Sequence, residues 1–420
     1  MHLEGEAGSD AASLGPVHKN QSILMSTMAP FRDTVLQIER NGIGAVSSLA
    51  FGNPDVIPLW FGEGDLPTPT FIRDAAKAAL DEGRTFYVQS RGIPQLREAV
   101  RGFFARHNAV NLDVERISIP GSAMMAVNVA LQLTLSAGDN ALILGPIWPN
   151  IYNAVRVIGA EARVFRLTPP AGTARWTLDM DGFLDQCDAR TRAIFVCSPG
   201  NPTGWVMSAE EQLILLKFAR ERNIAIISDE VYGPLTYGEP APSFVQIAQD
   251  HDPVFVIHSL SKAWAMTGWR VGFLVHPTQL GLWIGELTNI DNTGATSFAQ
   301  FGAAVALNDG DAFNAQLRAI CAKGRDIVAH FVEAQPRVRW AKPDGAFYGF
   351  LEIEGVHDSL HFASDLALRH GVGVAPGSAF GLNDPRNEGF IRICFAQDAG
   401  RLSVALDRLG HALKDLPIRA

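Results

Sequence analysis

The segment Ser259-Leu-Ser-Lys-Ala-Trp-Ala-Met-Thr-Gly-Trp-Arg270 decides how the rest of this 420-residue chain is interpreted. It directly follows Val254–Ile257, an apolar and β-branched run that predicts a buried strand. Ligands of open α/β sheets bind beyond the carboxyl ends of the strands. We therefore expect a ligand site formed by the polar residues of the segment, which are Ser259, Ser261, Lys262 and Arg270.

The residue types in this segment suit a phosphorylated ligand. Hydroxyl groups and an arginine are donors for a dianion such as a phosphate ester, which Arg270 can bind through two parallel hydrogen bonds. Most lysines are solvated surface charges. The neighbours of Lys262, however, are mainly apolar, and desolvation lowers the pKa of an amine towards the range in which it forms a Schiff base.

The segment resembles the lysine motif of the class I/II aminotransferases, pyridoxal 5'-phosphate (PLP) enzymes of fold type I in the aspartate aminotransferase superfamily. The resemblance extends over about Ala50 to Ala396, and its motifs occur in the order that the family has. It implies that Lys262 carries PLP as a Schiff base. It also implies that Ser259, Ser261 and Arg270 bind the phosphate group of PLP.

Composition limits the other classes of function. The chain is 47% hydrophobic and 19% charged, which is typical of a globular protein. A net charge of −9 argues against a nucleic-acid partner, and no apolar run approaches the roughly 20 residues of a membrane span. The four cysteines and eleven histidines lack metal-ligand spacing, so we expect no metal, and reduced thiols in the cytoplasm.

Apolar runs alternate with helical patterns between Phe51 and Asp311, which predicts an α/β fold with a mainly parallel, seven-stranded sheet. The predicted strands are Arg116–Ile119, Ala141–Leu144, Ala162–Leu167, Ala193–Cys197, Ile224–Ser228, Val254–Ile257 and Val271–Val275. After Asp311 the pattern predicts a long helix, Ala312–Ala334, and then a smaller α+β domain that includes strands Val372–Val374 and Phe390–Phe395.

We divide the chain into four parts. Residues 1–22 are expected to form a mobile tail, and residues 23–53, by resemblance to the family, a segment that joins the small domain. The large PLP-binding domain is expected at 54–310 and the small C-terminal domain at 311–420.

Asp229 ends the apolar run that starts at Ile224. A strand-end aspartate is most often a turn or a helix cap. The chemical alternative is a carboxylate that keeps a pyridine nitrogen protonated, so that the ring accepts electrons. The resemblance assigns this second role to Asp229, and to Tyr232 a hydrogen bond to the 3'-oxygen of PLP.

Other motifs take cofactor roles through the same resemblance. Asn201 lies in a Pro- and Gly-rich turn, and its family counterpart binds the 3'-oxygen and the substrate. Ser122 and Ala123 follow Gly121 at a predicted helix start, where backbone N–H groups favour a phosphate. Trp148 replaces the commoner tyrosine that stacks on the pyridine ring. The tyrosine that matches Tyr87 reaches the phosphate of a partner subunit, which implies a homodimer.

Arg392 lies in the apolar run Phe390–Phe395, where a charge is costly unless it is paired. Either a structural Asp or Glu or the carboxylate of a ligand must therefore pair with the charge of Arg392. The family places the arginine for the substrate α-carboxylate here, and the backbone of Gly62 against the same carboxylate.

The resemblance implies an aminotransferase that moves an amino group between an L-amino acid and a 2-oxo acid in a ping-pong reaction, with Lys262 also transferring protons. The alternative is a PLP-dependent lyase on the same fold, of β-elimination, cyclase or decarboxylase type. A regulatory protein that binds PLP is disfavoured, because the acidic N-terminal segment is too short for a DNA-binding module.

Substrate preference is predicted from departures from the family. Relatives specific for dicarboxylates place a lysine where this chain has Ala123, or an arginine in the region of Glu286–Phe298, which here holds neither Lys nor Arg. Trp60, Phe61 and Trp148 instead indicate an apolar wall. We expect neutral, apolar or aromatic amino acids to be preferred over aspartate, unless Arg91 or Lys19 supplies the missing charge.

Overall fold

The computed structural model describes residues 31–36, 38, 41–169, 175–382 and 384–416. The chain separates into two compact units, residues 1–39 and residues 40–420. The first unit contributes one described helical turn, Asp33–Leu36. The predicted tail, 1–22, and Lys19 within it lie outside the described residues. Everything that follows concerns the second unit.

A seven-stranded sheet forms the centre of the second unit, as predicted. From one edge to the other its strands are Ile117–Gly121, Gly272–Val275, Val254–Ser259, Ala225–Asp229, Thr191–Cys197, Asn140–Gly145 and Glu161–Arg166. Six of these strands run in the same direction, and only Gly272–Val275 runs antiparallel to them, between Ile117–Gly121 and Val254–Ser259. The central strands are apolar without alternation because helices cover both faces.

The helices that accompany this sheet before, between and after its strands are Thr70–Asp81, Pro94–Asn108, Ala123–Thr134, Asn150–Ile158, Met180–Leu184, Ala209–Arg222, Gly281–Asn292 and Ser297–Asp309. The start of Ala209–Arg222 is fixed by a capping box, in which Ser208 and Glu211 each accept a hydrogen bond from the other's backbone N–H. The sequence pattern did not predict four of these helices, namely Asn150–Ile158, Met180–Leu184, Gly281–Asn292 and Ser297–Asp309. In Gly281–Asn292 the large apolar side chains Leu282, Trp283 and Ile290 are exposed, so the usual amphipathic pattern is absent.

A second, four-stranded antiparallel sheet contains Arg392. Its order is Ala375–Pro376, Phe390–Cys394, Tyr348–Ile353 and Val338–Arg339. The helices Asp311–Glu333, Ser359–His370 and Ala399–Asp415 accompany it, and the helix Gly42–Ala50 packs against Ser359–His370.

The predicted strand Val372–Val374 is wrong as a single element. Val372–Gly373 pairs in parallel with Ile57–Pro58, whereas Ala375–Pro376 pairs with the strand of Arg392, so the chain changes sheets at Val374.

The arrangement of the large sheet determines where the site forms. Four neighbouring parallel strands end at the same edge of the sheet. Their last residues are Gly145, Cys197, Asp229 and Ser259. The loops that follow these strands therefore converge, as expected for a ligand site in this architecture. Among the described residues, no helix combines the length and the apolar character that a membrane crossing requires.

Candidate active site

A cavity of about 300 Å³ opens at this edge of the sheet. Most of the predicted site residues line it, namely Gly62, Ala123, Trp148, Asn201, Asp229, Tyr232, Ser259, Ser261, Lys262, Arg270 and Arg392. Ser122 and Tyr87 are not among its lining residues. The structure therefore brings together residues from distant parts of the sequence.

Lys262 lies in the short helix Leu260–Ala263, directly after a central strand. Its Nζ donates a hydrogen bond to the carbonyl oxygen of Gly62 at 2.5 Å. Burial, together with the positive charge of Arg392, lowers the pKa of Lys262 to about 8. A larger fraction of the amine is therefore neutral at pH 7 than for an exposed lysine, which favours Schiff-base formation.

Asp229 is the last residue of its strand and faces the same cavity. Its Oδ1 accepts a hydrogen bond from the backbone N–H of Val231 at 3.3 Å. Burial raises the pKa of Asp229 to about 6, against the opposing effects of the Val231 N–H, His258 and Lys262. The carboxylate is thus ionised at neutral pH in a desolvated position, which suits the protonated nitrogen of a heterocycle.

The hydroxyl of Tyr232 contacts that of Tyr348, a site residue that the sequence did not predict. The hydroxyl oxygens of Tyr232 and Tyr348 lie 2.7 Å apart, and both residues line the cavity. Tyr348 belongs to the strand Tyr348–Ile353 of the smaller sheet, and it is completely buried. In the sequence it stands between Phe347 and Phe350 in an apolar run, so nothing there separates it from core residues.

Arg392 is 2% exposed and has no carboxylate partner among the ion pairs of the described residues. Its Nη1 donates to Oδ1 of Asn201 at 3.1 Å, and its Nη2 donates to the carbonyl oxygen of Trp60. The Nε–H is buried and has no partner. A buried guanidinium that is held only by neutral acceptors is suited to bind a ligand carboxylate.

Gly62 lies between these groups for a steric reason. A Cβ at this position would collide with the hydroxyl of Tyr348 and would come within 3.2 Å of Nζ of Lys262. The missing side chain therefore leaves space for both functional groups.

Around the cavity, a helix start and the loop after a strand carry donors for an anion. Ser122 caps the helix Ala123–Thr134 and accepts from the N–H of Met125 at 3.3 Å, so the first N–H groups of the helix face the sheet edge. Ser259 accepts from the N–H of Ser261 at 3.0 Å. Arg270 is exposed and donates to the carbonyl oxygen of Thr267 at 2.8 Å. These donors fit a phosphate group.

The remaining wall of the cavity is apolar. Trp60, Phe61 and Trp148, which the sequence predicted, are joined by residues that it did not predict, namely Ile43, Met124, Ile147 and Ile151. Ile43 comes from the helix Gly42–Ala50, far from the other motifs in the sequence. Arg91 does not line the cavity. It forms an ion pair with Glu115 at 2.7 Å and a hydrogen bond with Ser118 at 3.1 Å.

A desolvated lysine, an ionised aspartate and a set of anion donors around one cavity suit an α/β enzyme that binds a phosphorylated ligand reactive towards amines. The chain belongs to the family of class I and II aminotransferases, whose sequence profile matches residues 54–409. It is therefore a PLP-dependent aminotransferase whose substrates are amino acids and 2-oxo acids. This confirms the predicted family, cofactor and class of reaction.

Relatives and solved structures agree with this assignment. The probable aspartate/prephenate aminotransferase of Aquifex aeolicus is 33% identical, over 86% of this chain and 92% of the relative. The aromatic-amino-acid aminotransferase 2 of Thermococcus litoralis is 31% identical, over 91% and 98%. The structure of Thermus thermophilus aspartate aminotransferase with maleate is similar with a TM-score of 0.84 at 28% identity, covering 92% of this chain and all of that chain.

Proposed function

We propose that this aminotransferase prefers neutral amino acids with apolar or aromatic side chains and exchanges them with 2-oxo acids in a ping-pong reaction. The observation that carries the proposal is the charge distribution around the cavity. Among the described residues that line it, the basic side chains are Lys262, Arg270 and Arg392. Each of them has a task in binding the cofactor or the α-carboxylate.

A second carboxylate on the substrate would therefore lie against the apolar wall without a cation. Leaving a buried charge unpaired is costly, so aspartate is disfavoured relative to leucine or phenylalanine. Arg91, the alternative source of charge within the described residues, is engaged by Glu115. The names of the relatives include both aspartate and aromatic aminotransferases, so they do not distinguish between the two substrate preferences. The proposed preference is therefore inferred from the apolar wall of this cavity.

The residues of the cavity divide the work as follows. PLP, when bound, withdraws electrons from the Cα of the substrate. Lys262 would hold the cofactor and would move the proton at Cα of the substrate. Asp229 keeps the ring nitrogen protonated, and Arg392 holds the α-carboxylate, with the Gly62 backbone beside it.

Further contacts complete the proposed cofactor site. Tyr232 and Asn201 would donate to the cofactor oxygen, and Trp148 would stack on its ring. The Ser122 and Ala123 N–H groups, with Ser259, Ser261 and Arg270, bind the phosphate.

We also propose that the active unit is a homodimer, with Tyr87 contributed to the neighbouring site. Tyr87 is 90% exposed and Phe86 is 83% exposed. The loop that carries them adjoins the helix Gly281–Asn292, because a Cβ on Gly285 would meet Ser90, and this helix exposes Leu282, Trp283 and Ile290. Exposed apolar groups clustered in this way are typical of an interface.

All four cysteines are free, which supports the proposed cytoplasmic location.

The preference is tested by kcat/KM for aspartate, alanine, leucine, phenylalanine and tyrosine with one fixed 2-oxo acid. We expect the best neutral donor to exceed aspartate more than tenfold, since an unpaired buried charge costs roughly 2 to 4 kcal/mol. Ala123→Lys should raise the value for aspartate selectively. The matched control is Gln132→Lys, an exposed position on the same helix, which should change neither value.

Two results would contradict the proposal. The first is aspartate as the best donor of the parent protein. The second is release of ammonia, of carbon dioxide or of a side-chain leaving group in place of an equimolar exchange of amino groups, which would indicate the lyase alternative of β-elimination, decarboxylase or cyclase type.

A further inference from the structure

The contact between Tyr348 and Tyr232 has no role in the reaction as described so far. Tyr348 reaches the cavity from the smaller sheet, and its hydroxyl lies 2.7 Å from that of Tyr232. We propose that Tyr348 is a positioning residue, which donates its hydroxyl proton to the oxygen of Tyr232 and thereby leaves the Tyr232 proton for the cofactor oxygen. The proposal rests on the role proposed above for Tyr232.

The direction of this hydrogen bond follows from the surroundings of the two phenols. Burial raises the pKa of both tyrosines above the usual range, so each is protonated at neutral pH. Only one proton can lie between the two oxygens. The guanidinium carbon of Arg392 lies 4.6 Å from the ring centroid of Tyr348. This positive charge makes Tyr348 the more acidic phenol of the pair and hence the better donor.

Packing fixes the Tyr348 ring in the orientation that this hydrogen bond needs. The ring meets Tyr232 edge to face at a centroid distance of 5.5 Å, and Phe347 at 4.9 Å. The hydroxyl occupies the space that a side chain at position 62 would fill. Tyr232 is likewise held by Phe347 at 5.6 Å. The two hydroxyl groups therefore face each other in a rigid setting.

The hydrogen bond of Tyr232 affects the charge of the cofactor oxygen. A hydrogen bond to this oxygen reduces its negative charge. That charge would otherwise stabilise a proton on the nearby nitrogen that joins the cofactor to Lys262. Losing or misdirecting the Tyr232 proton should therefore raise the apparent pKa of that nitrogen. The other charged or titratable groups that face the pair are Arg392, Lys262, Asp229, Cys197 and Cys394.

The test is a pH titration of the cofactor absorbance in the holoenzyme, compared among the parent, Tyr348→Phe, Tyr232→Phe and the double variant. We expect Tyr348→Phe to raise the apparent pKa by about one unit, because a hydrogen bond to a charged group is partly lost. Tyr232→Phe should raise it further. The double variant should match Tyr232→Phe alone, since Tyr348 acts through Tyr232.

The control variant is Tyr237→Phe. Tyr237 is a neighbouring phenol that donates to the carbonyl oxygen of Ala346 at 2.5 Å and does not line the cavity, so the titration should not change. Thermal unfolding establishes that each variant is folded. If Tyr348→Phe is not recovered as a folded protein, Tyr348→Met, which also lacks the hydroxyl, is titrated in its place.

The outcomes separate the two proposals. If Tyr232→Phe shifts the titration and Tyr348→Phe does not, the role of Tyr348 is refuted and that of Tyr232 stands. Additive shifts in the double variant would also refute it, because Tyr348 would then act independently. If Tyr232→Phe leaves the titration unchanged, the proposed role of Tyr232 fails and the inference fails with it.

Discussion

Replacing Arg392 by lysine tests how the substrate carboxylate is bound. In the protein the guanidinium donates to Asn201 and to the carbonyl oxygen of Trp60, and its buried Nε–H has no partner. A lysine keeps the positive charge but cannot form two parallel hydrogen bonds to a carboxylate. We therefore expect Arg392→Lys to fold and bind PLP, and to lose catalytic efficiency towards amino acids.

The size of the loss follows from the missing contact. A hydrogen bond to a charged group contributes about 1.5–3 kcal/mol. Each 1.36 kcal/mol in the transition state changes the rate about tenfold, so kcat/KM should fall by about 10- to 150-fold. The assay is steady-state transamination of leucine or phenylalanine, with cofactor content measured from the absorbance of the holoenzyme.

Two controls isolate the carboxylate. A primary amine without a carboxylate should react equally slowly with the parent and the variant, because the contact is absent in both. Arg318→Lys, at an exposed arginine that donates to the carbonyl oxygen of Pro234 at 3.4 Å, should retain the activity of the parent. A folded Arg392→Lys protein within threefold of the parent would refute this reasoning.

Three further outcomes follow from the same site. Asp229→Asn should bind PLP yet lose most turnover, and its apoprotein should be about 2 to 3 kcal/mol more stable than the parent at pH 7. The native pKa of Asp229, about 6, lies above its pKa in the unfolded chain, so the parent loses stability as pH rises from about 4 to 6. Chemical denaturation across this pH range should therefore show that the extra stability of Asp229→Asn becomes smaller towards pH 4. Gly62→Ala should weaken PLP binding and lower the melting temperature, because the new Cβ meets Tyr348 and Lys262, whereas Gly44→Ala, in the helix Gly42–Ala50 where a Cβ meets nothing within 4 Å, should melt at or slightly above the temperature of the parent. Mixing inactive Lys262→Ala with an inactive Tyr87 variant should restore part of the activity through hybrid dimers, and full activity of a monomer in sedimentation would contradict this.

The sequence predicted those parts of the site that lie where a strand ends and a loop begins. Asp229, Lys262 and Asn201 belong to short motifs, and a strand end in a parallel sheet determines the edge at which they meet. Their convergence on one cavity follows from the order of the strands.

Other parts were not predictable from local pattern. Tyr348, Ile43 and Met124 reach the cavity from a strand and two helices whose residues are apolar, as core residues are. Only the packing of distant segments reveals which of these apolar residues face a ligand. The helix Gly281–Asn292 was also not predictable, because several of its large apolar residues are exposed. Hydrophobic periodicity identifies helices that bury one apolar face against the rest of the same chain.

The central claim is that Lys262 binds the cofactor in this cavity. Borohydride reduction of the purified holoenzyme, followed by proteolysis and mass spectrometry, measures it directly. The account predicts the reduced pyridoxyl group on Lys262, whose amine has its pKa lowered by burial to about 8. A pyridoxyl group on any other lysine, with Lys262 unmodified, would contradict it.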